Sequence, residues 1–144
     1  MSKADMNKKD SLRVPDYLDH ILQAIERINR YVENKDESDF LQDEMLQDAV
    51  IRNIEIIGEA AKNVERIAPE FTTQYPDVPW AILYAMRNRV THGYFDVDVE
   101  LVWKTVRNNV PLLADQIRAV LDELGIQFEH VERTHDEAND VLGA

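Results

Sequence analysis

Apolar residues recur at intervals of three and four along most of the chain, and each such run marks one face of an amphipathic helix. Leu18, Ile21, Leu22, Ile25, Ile28 and Val32 make the first stripe. It predicts a helix from near Pro15, which a first helical turn tolerates, to about Asn34. Leu46, Val50, Ile54, Ile57, Ala61 and Val64 predict a longer second helix, capped by Ser38 or Asp39 and reaching about Ile67. Pro69 and Pro76, with Thr72 and Thr73 between them, favour an irregular connection from Ala68 to Val78. Asp77 is placed to cap a short third helix with Pro79 in its first turn, running through Trp80, Leu83, Met86 and Val90 and stopping near Gly93. The most regular stripe is Val99, Val102, Val106, Val110, Leu113, Ile117, Val120 and Leu124. It follows the acidic entry Asp96, Asp98 and Glu100, and Gly125 is its natural end. Pro111 inside it removes a backbone donor and crowds the preceding turn, which predicts a kink between Arg107 and Pro111.

No segment alternates apolar and polar residues for long enough to make a sheet. Helices with one wet face must bury their stripes on each other. The expected fold is therefore all-α, an antiparallel bundle of four main helices with room for a short extra one. Residues 1–13 have no stripe and are expected to be a mobile leader, 14–125 the bundle, and 126–144 an acidic tail.

A length of 144 residues with 44% apolar content suits one domain with one core. No run approaches the ~20 apolar residues of a membrane helix, and the polar start lacks the apolar centre of a signal peptide. A cytoplasmic protein with no membrane contact is expected. Cysteine is absent, which excludes disulfides and thiolate metal sites and fits a reducing compartment. The net charge of -12 argues against a general nucleic-acid coat, whose affinity comes from lysine and arginine on phosphates. That charge is partly peripheral. From Asp122 onward, seven acids against one base supply -6 of it, whereas between Tyr84 and Asn109 four bases against three acids leave +1.

The segment from Met86 to Phe95 gathers Arg87, Asn88, Arg89, Thr91, His92, Gly93 and Tyr94 at an expected helix end. A glycine there can take the left-handed conformation that closes a helix, leaving His92 beside unpaired carbonyls at the negative end of the dipole. An imidazole titrates near ~6.5 when unperturbed, so His92 is suited to moving protons near neutral pH. Arg87 lies five residues earlier, and the two converge only if the helix ends there or across a second subunit. Together they suffice to cut RNA without metal. The histidine takes the proton of a ribose 2'-hydroxyl or protonates the leaving oxygen, and the guanidinium neutralises charge on the phosphoryl oxygens. A plainer reading fits the same spacing, with His92 a dipole partner and Arg87 and Arg89 ordinary surface charges.

Arg87, four residues, His92, Gly93 and Tyr94 resemble the R-x4-H-x-Y signature of HepT-like toxins in the HEPN superfamily. Asp48 to Ala61 resembles that family's second-helix pattern, and Pro79-Trp80 and Val99 to Trp103 are similar to its flanking blocks. The resemblance covers roughly Asp16 to Leu124. It implies a homodimeric helical bundle with metal-independent ribonuclease activity and a cleft where two protomers meet. It further implies that Arg87 and His92 are the catalytic pair. By the same resemblance, Tyr94 is the residue to which a cognate MNT-type nucleotidyltransferase antitoxin adds AMP, silencing the toxin. No cofactor is implied.

Other residues are weaker candidates. Glu59 shares helical spacings with Arg52 and Glu55, and either orients Arg87 or His92 or belongs to a charge network on a solvated face. Asn88, Arg89 and Thr91 are candidate substrate-binding residues. His20, beside the first stripe, reads as packing or surface, and His130 and His135 in the tail have no fixed scaffold for a metal. Trp80 and Trp103 fall with the core stripes. Two rival readings remain: a non-enzymatic helical partner of a nucleotidyltransferase whose basic cleft binds nucleotide, and a purely structural dimerisation module.

Overall fold

The computed structural model of the chain describes the backbone of residues 3–91 and 97–126 and the side chains of 13–86 and 97–126. Seven helices are assigned within them: α1 (Lys3–Val32), α2 (Glu37–Gln42), α3 (Glu44–Ile67), α4 (Pro69–Gln74), α5 (Trp80–Thr91), α6 (Val99–Asn108) and α7 (Val110–Glu123). No strand occurs among the described residues. The fold is all-α, as the periodicity predicts, and the expected acidic tail from 127 lies outside the described residues.

The long helices follow the stripes. Leu18, Ile21, Leu22, Ile25, Ile28 and Val32 of α1 are buried, and so are Leu46, Val50, Ile54, Ile57, Ala61 and Val64 of α3. These two helices make the most extensive pairing in the bundle, with α5 also packed on α3 and α7 on α1. Asn53 of α3, 4% exposed, fixes the α1–α3 register. Its Oδ1 accepts from Arg27 Nε at 2.7 Å while its Nδ2 donates to the Ala49 carbonyl at 2.8 Å, so a buried amide is satisfied on both sides.

Four boundaries differ from the pattern. The first helix begins at Lys3 with Pro15 inside it, not near Pro15. Lys, Ala, Met and Leu are good helix formers and extend the helix ahead of Pro15, at the cost of the one donor that Pro15 lacks. The second helix is split at Asp43. Asp36 caps α2 through a reciprocal box with Asp39, and Asp43 ends α2 while its side chain accepts the Leu46 N–H at the start of α3. The stretch after Ala68 is not irregular throughout: Pro69, suited to a first turn, starts the short α4. The kink expected at Arg107 to Pro111 is a break at Asn109, with Pro111 in the first turn of α7.

Two ends follow their expected chemistry. The Asp98 side chain accepts the Leu101 N–H and starts α6. Gly125 has φ +71, its N–H bonds to the Asp122 carbonyl, and the Ile126 N–H reaches back to Leu121 at 2.9 Å. This double bond pattern is the left-handed helix stop that glycine favours. Leu124, placed in the core by the stripe, is instead 39% exposed, because α7 has ended and its residue turns outward.

Candidate active site

The helix that carries the motif is anchored at its start. Trp80 and Leu83 are buried, and the Pro79 carbonyl accepts the Leu83 N–H at 2.9 Å, so Pro79 stands just before the helix and not inside its first turn. Trp80 Nε1 donates to the Tyr75 carbonyl at 3.1 Å, and its ring meets Phe71 edge-on, with Phe71 in turn against Tyr75. Gln116 of α7 donates to the Asp77 carbonyl at 2.7 Å and ties the entry turn to the bundle. Asp77 thus serves through its backbone. The aromatic knot and this tether hold the start of α5.

The backbone of Arg87, Asn88, Arg89 and Thr91 lies in the C-terminal half of α5, whose assigned end is Thr91. Their side chains, and all of His92, Gly93 and Tyr94, lie outside the described residues. The register of α5 against α3 still locates the motif's neighbours. Glu65 of α3 shares one groove with Ala81 and Ile82, and Lys62 Nζ donates to the Tyr84 hydroxyl at 3.2 Å while standing 4.7 Å from that ring's centre. Descending α3 from 65 to 62 thus accompanies ascending α5 from 81 to 84, and the two helices are antiparallel. One further turn brings Glu59 of α3 level with position 87 of α5.

Glu59 is half-buried and lines a groove of about 350 Å³ between α1 and α3 with Tyr17, His20, Arg52, Glu55 and Asn63. Arg52 and Glu55 form an ion pair at 3.6 Å, with the arginine side chain 72% exposed. His20 is exposed and meets Tyr17 edge-on at 6.1 Å. Trp80 and Trp103 are core residues, the latter packed on Phe40 at 5.3 Å. His130 and His135 lie outside the described residues. Sequence reasoning missed Lys62 and Tyr84, although each stands three residues from a candidate, Lys62 after Glu59 and Tyr84 before Arg87. It also missed that Tyr17 and His20 face the Glu59 side of α3, a relation only the α1–α3 register supplies.

Residues 21–120 match the family model described as "Ribonuclease HepT-like". This chain belongs to the HepT-like family. The matched span runs from the first buried stripe to the last and includes the whole of α5. Among curated relatives, a protein of Thermococcus cleftensis named "Probable ribonuclease HepT" is 44% identical over 68% of this chain and 86% of its own length. One from Caldanaerobacter subterraneus subsp. tengcongensis, named "Putative RNase", is 36% identical over 74% of this chain and 93% of its own. A Methanocaldococcus jannaschii protein named "Gamma-glutamylcyclotransferase and putative RNase" is 44% identical over 75% of this chain, which spans only 47% of that relative. No solved structure matches the chain significantly. No helix among the described residues is long and apolar enough to cross a membrane.

Proposed function

We propose that this HepT-like chain is a metal-independent endoribonuclease, the toxin of a toxin-antitoxin pair, working as a homodimer with Arg87 and His92 at its reacting centre. The observation that carries the reading is the Arg87, His92, Tyr94 spacing in the sequence of a chain whose family match spans that segment, with Arg87 in the C-terminal half of α5. In the reaction, the ribose 2'-oxygen attacks the adjacent phosphorus and the bond to the 5'-oxygen breaks. The products are a 2',3'-cyclic phosphate and a 5'-hydroxyl. His92 accepts the 2'-hydroxyl proton or supplies one to the leaving oxygen, and Arg87 carries the charge that builds on the phosphoryl oxygens. Glu59, level with position 87, orients the Arg87 guanidinium, while Asn88, Arg89 and Thr91 hold the strand. An imidazole and a guanidinium cover proton transfer and charge neutralisation, so this chemistry asks nothing of a metal.

Pairing suits the exposed surface of α5. Ala81, Ile82 and Ala85 are all exposed on its first turns, and Ile82 at 66% is among the most exposed large apolar residues described. A second copy covering that face brings two motif helices together. Control belongs to Tyr94. Its hydroxyl attacks the α-phosphorus of ATP on an MNT-type nucleotidyltransferase antitoxin, losing its proton and releasing pyrophosphate. The AMP so joined places negative charge beside Arg87 and Arg89 and competes with substrate phosphate. Co-expression with such an enzyme tests this step. AMP mass on the wild type, none on Tyr94→Phe, and loss of RNA cleavage with modification are expected. Modification mapped to another residue, or full inhibition without added mass, overturns it.

A further inference from the structure

We propose that the groove between α1 and α3 is a nucleobase subsite, taking one unpaired base beside the cleaved phosphate and favouring bases with an exocyclic amino group. The inference rests on the ribonuclease reading above and adds to it a place and a chemistry for sequence preference.

The groove's size and walls argue for a base. About 350 Å³ is the lower end of small-ligand pockets and suits a single ring system. Tyr17 and His20 form its α1 wall with ring planes 84° apart, so a flat base stacked on one ring turns its edge to the other. Tyr17 is half-buried and held in place, its hydroxyl accepting from Arg13 Nη2 at 3.0 Å with the guanidinium 5.8 Å from the ring centre. A held aromatic ring makes a better stacking platform than a free one because less side-chain freedom is lost on binding. The α3 wall carries two carboxylates, Glu55 and Glu59, against one guanidinium, Arg52, which already pairs with Glu55. That balance repels phosphate and suits an occupant that donates hydrogen bonds, as the amino edge of a base does.

The same carboxylates choose among bases. A carboxylate only accepts hydrogen bonds, through four lone-pair sites, so Glu55 and Glu59 retain acceptor capacity when each already has a partner. Adenine, cytosine and guanine offer an amino group to it. Uracil offers one N–H flanked by two carbonyl oxygens, which a carboxylate repels. Asn63 at the groove's end both donates and accepts, and discriminates less. Glu59, which lines the groove, is level with position 87 of the neighbouring α5, so the groove and the motif share one level of the bundle.

Two measurements on the full chain test this. In the first, the His20 imidazole proton signals are followed by NMR while cytidine or uridine is added, a readout independent of cleavage. Cytidine is expected to shift them and uridine to bind about fivefold or more weaker, the shift disappearing in Tyr17→Leu and persisting in Tyr17→Phe. In the second, RNAs that differ by one nucleotide beside the cut are cleaved by wild type, His20→Ala and Glu55→Gln. The wild type is expected to disfavour uridine there, and both variants to raise KM with kcat little changed and to flatten the preference. Equal response to the two nucleosides, or unchanged preference in both variants while cleavage continues, overturns the subsite. Absence of any cleavage by wild type counts against the ribonuclease reading, and the nucleoside titration then decides the groove alone.

Discussion

Arg87 and Lys carry the same charge but not the same geometry. A guanidinium grips two phosphoryl oxygens at once through a planar fork, and an ammonium is a point charge on a flexible stem. Arg87→Lys is therefore expected to lower kcat/KM for RNA by at least about tenfold with the melting temperature little changed, since lysine keeps the charge and the helix propensity of arginine in the C-terminal half of α5. Near-normal kinetics in that variant would reduce Arg87 to a general electrostatic role. The residue scale is also where the sequence is most and least informative. The spacing of Arg87, His92 and Tyr94 is legible without coordinates because it is a local pattern. The partnership of Lys62 with Tyr84, and of Glu59 with the level of position 87, depends on how two helices slide along each other, which no local spacing encodes.

At the scale of elements, apolar periodicity locates the long helices and hides their breaks. The stripes from Leu46 to Val64 and from Val102 to Val120 are buried as read, yet the first is preceded by a separate α2 and the second is broken at Asn109. Breaks are set by side chains that bond the backbone, and Asp36, Asp39 and Asp43 all offer that chemistry within a few residues, so sequence alone does not choose between them. Asp43 should matter twice, ending α2 and capping α3. Asp43→Ala is expected to cost about 1 kcal/mol in chemical denaturation and Asp43→Asn much less, because the amide oxygen still accepts the Leu46 N–H. Gly125→Ala meets no neighbour within 4 Å, so its cost is conformational alone, about 1 kcal/mol from the left-handed backbone at φ +71. A destabilisation several times larger would show that the α7 stop bears on more than its own geometry.

The whole molecule is built around α3, with α1, α2, α4 and α5 packed on it. Phe40 locks α2 onto this frame, fully buried and packed at a tilt against Trp103 of α6, ring centres 5.3 Å apart. Phe40→Ala is expected to lose roughly 3–5 kcal/mol of stability, read from an urea melt, and a loss under about 1 kcal/mol would contradict the packing. Assembly follows from the exposed face of α5. Sedimentation at micromolar concentration should give a dimer for wild type and a folded monomer for Ile82→Glu, with RNA cleavage lost in the monomer. A dimer that survives this charge would place the interface elsewhere. In the proposed reaction His92 moves the protons of RNA cleavage with no metal taking part. It is tested most directly by incubating RNA with wild type and His92→Ala in excess chelator and analysing the ends produced. Wild type should yield 2',3'-cyclic phosphate and 5'-hydroxyl ends while His92→Ala, shown to be folded by circular dichroism, yields none. Cleavage that stops when the chelator is added, or that continues unchanged in His92→Ala, would contradict it.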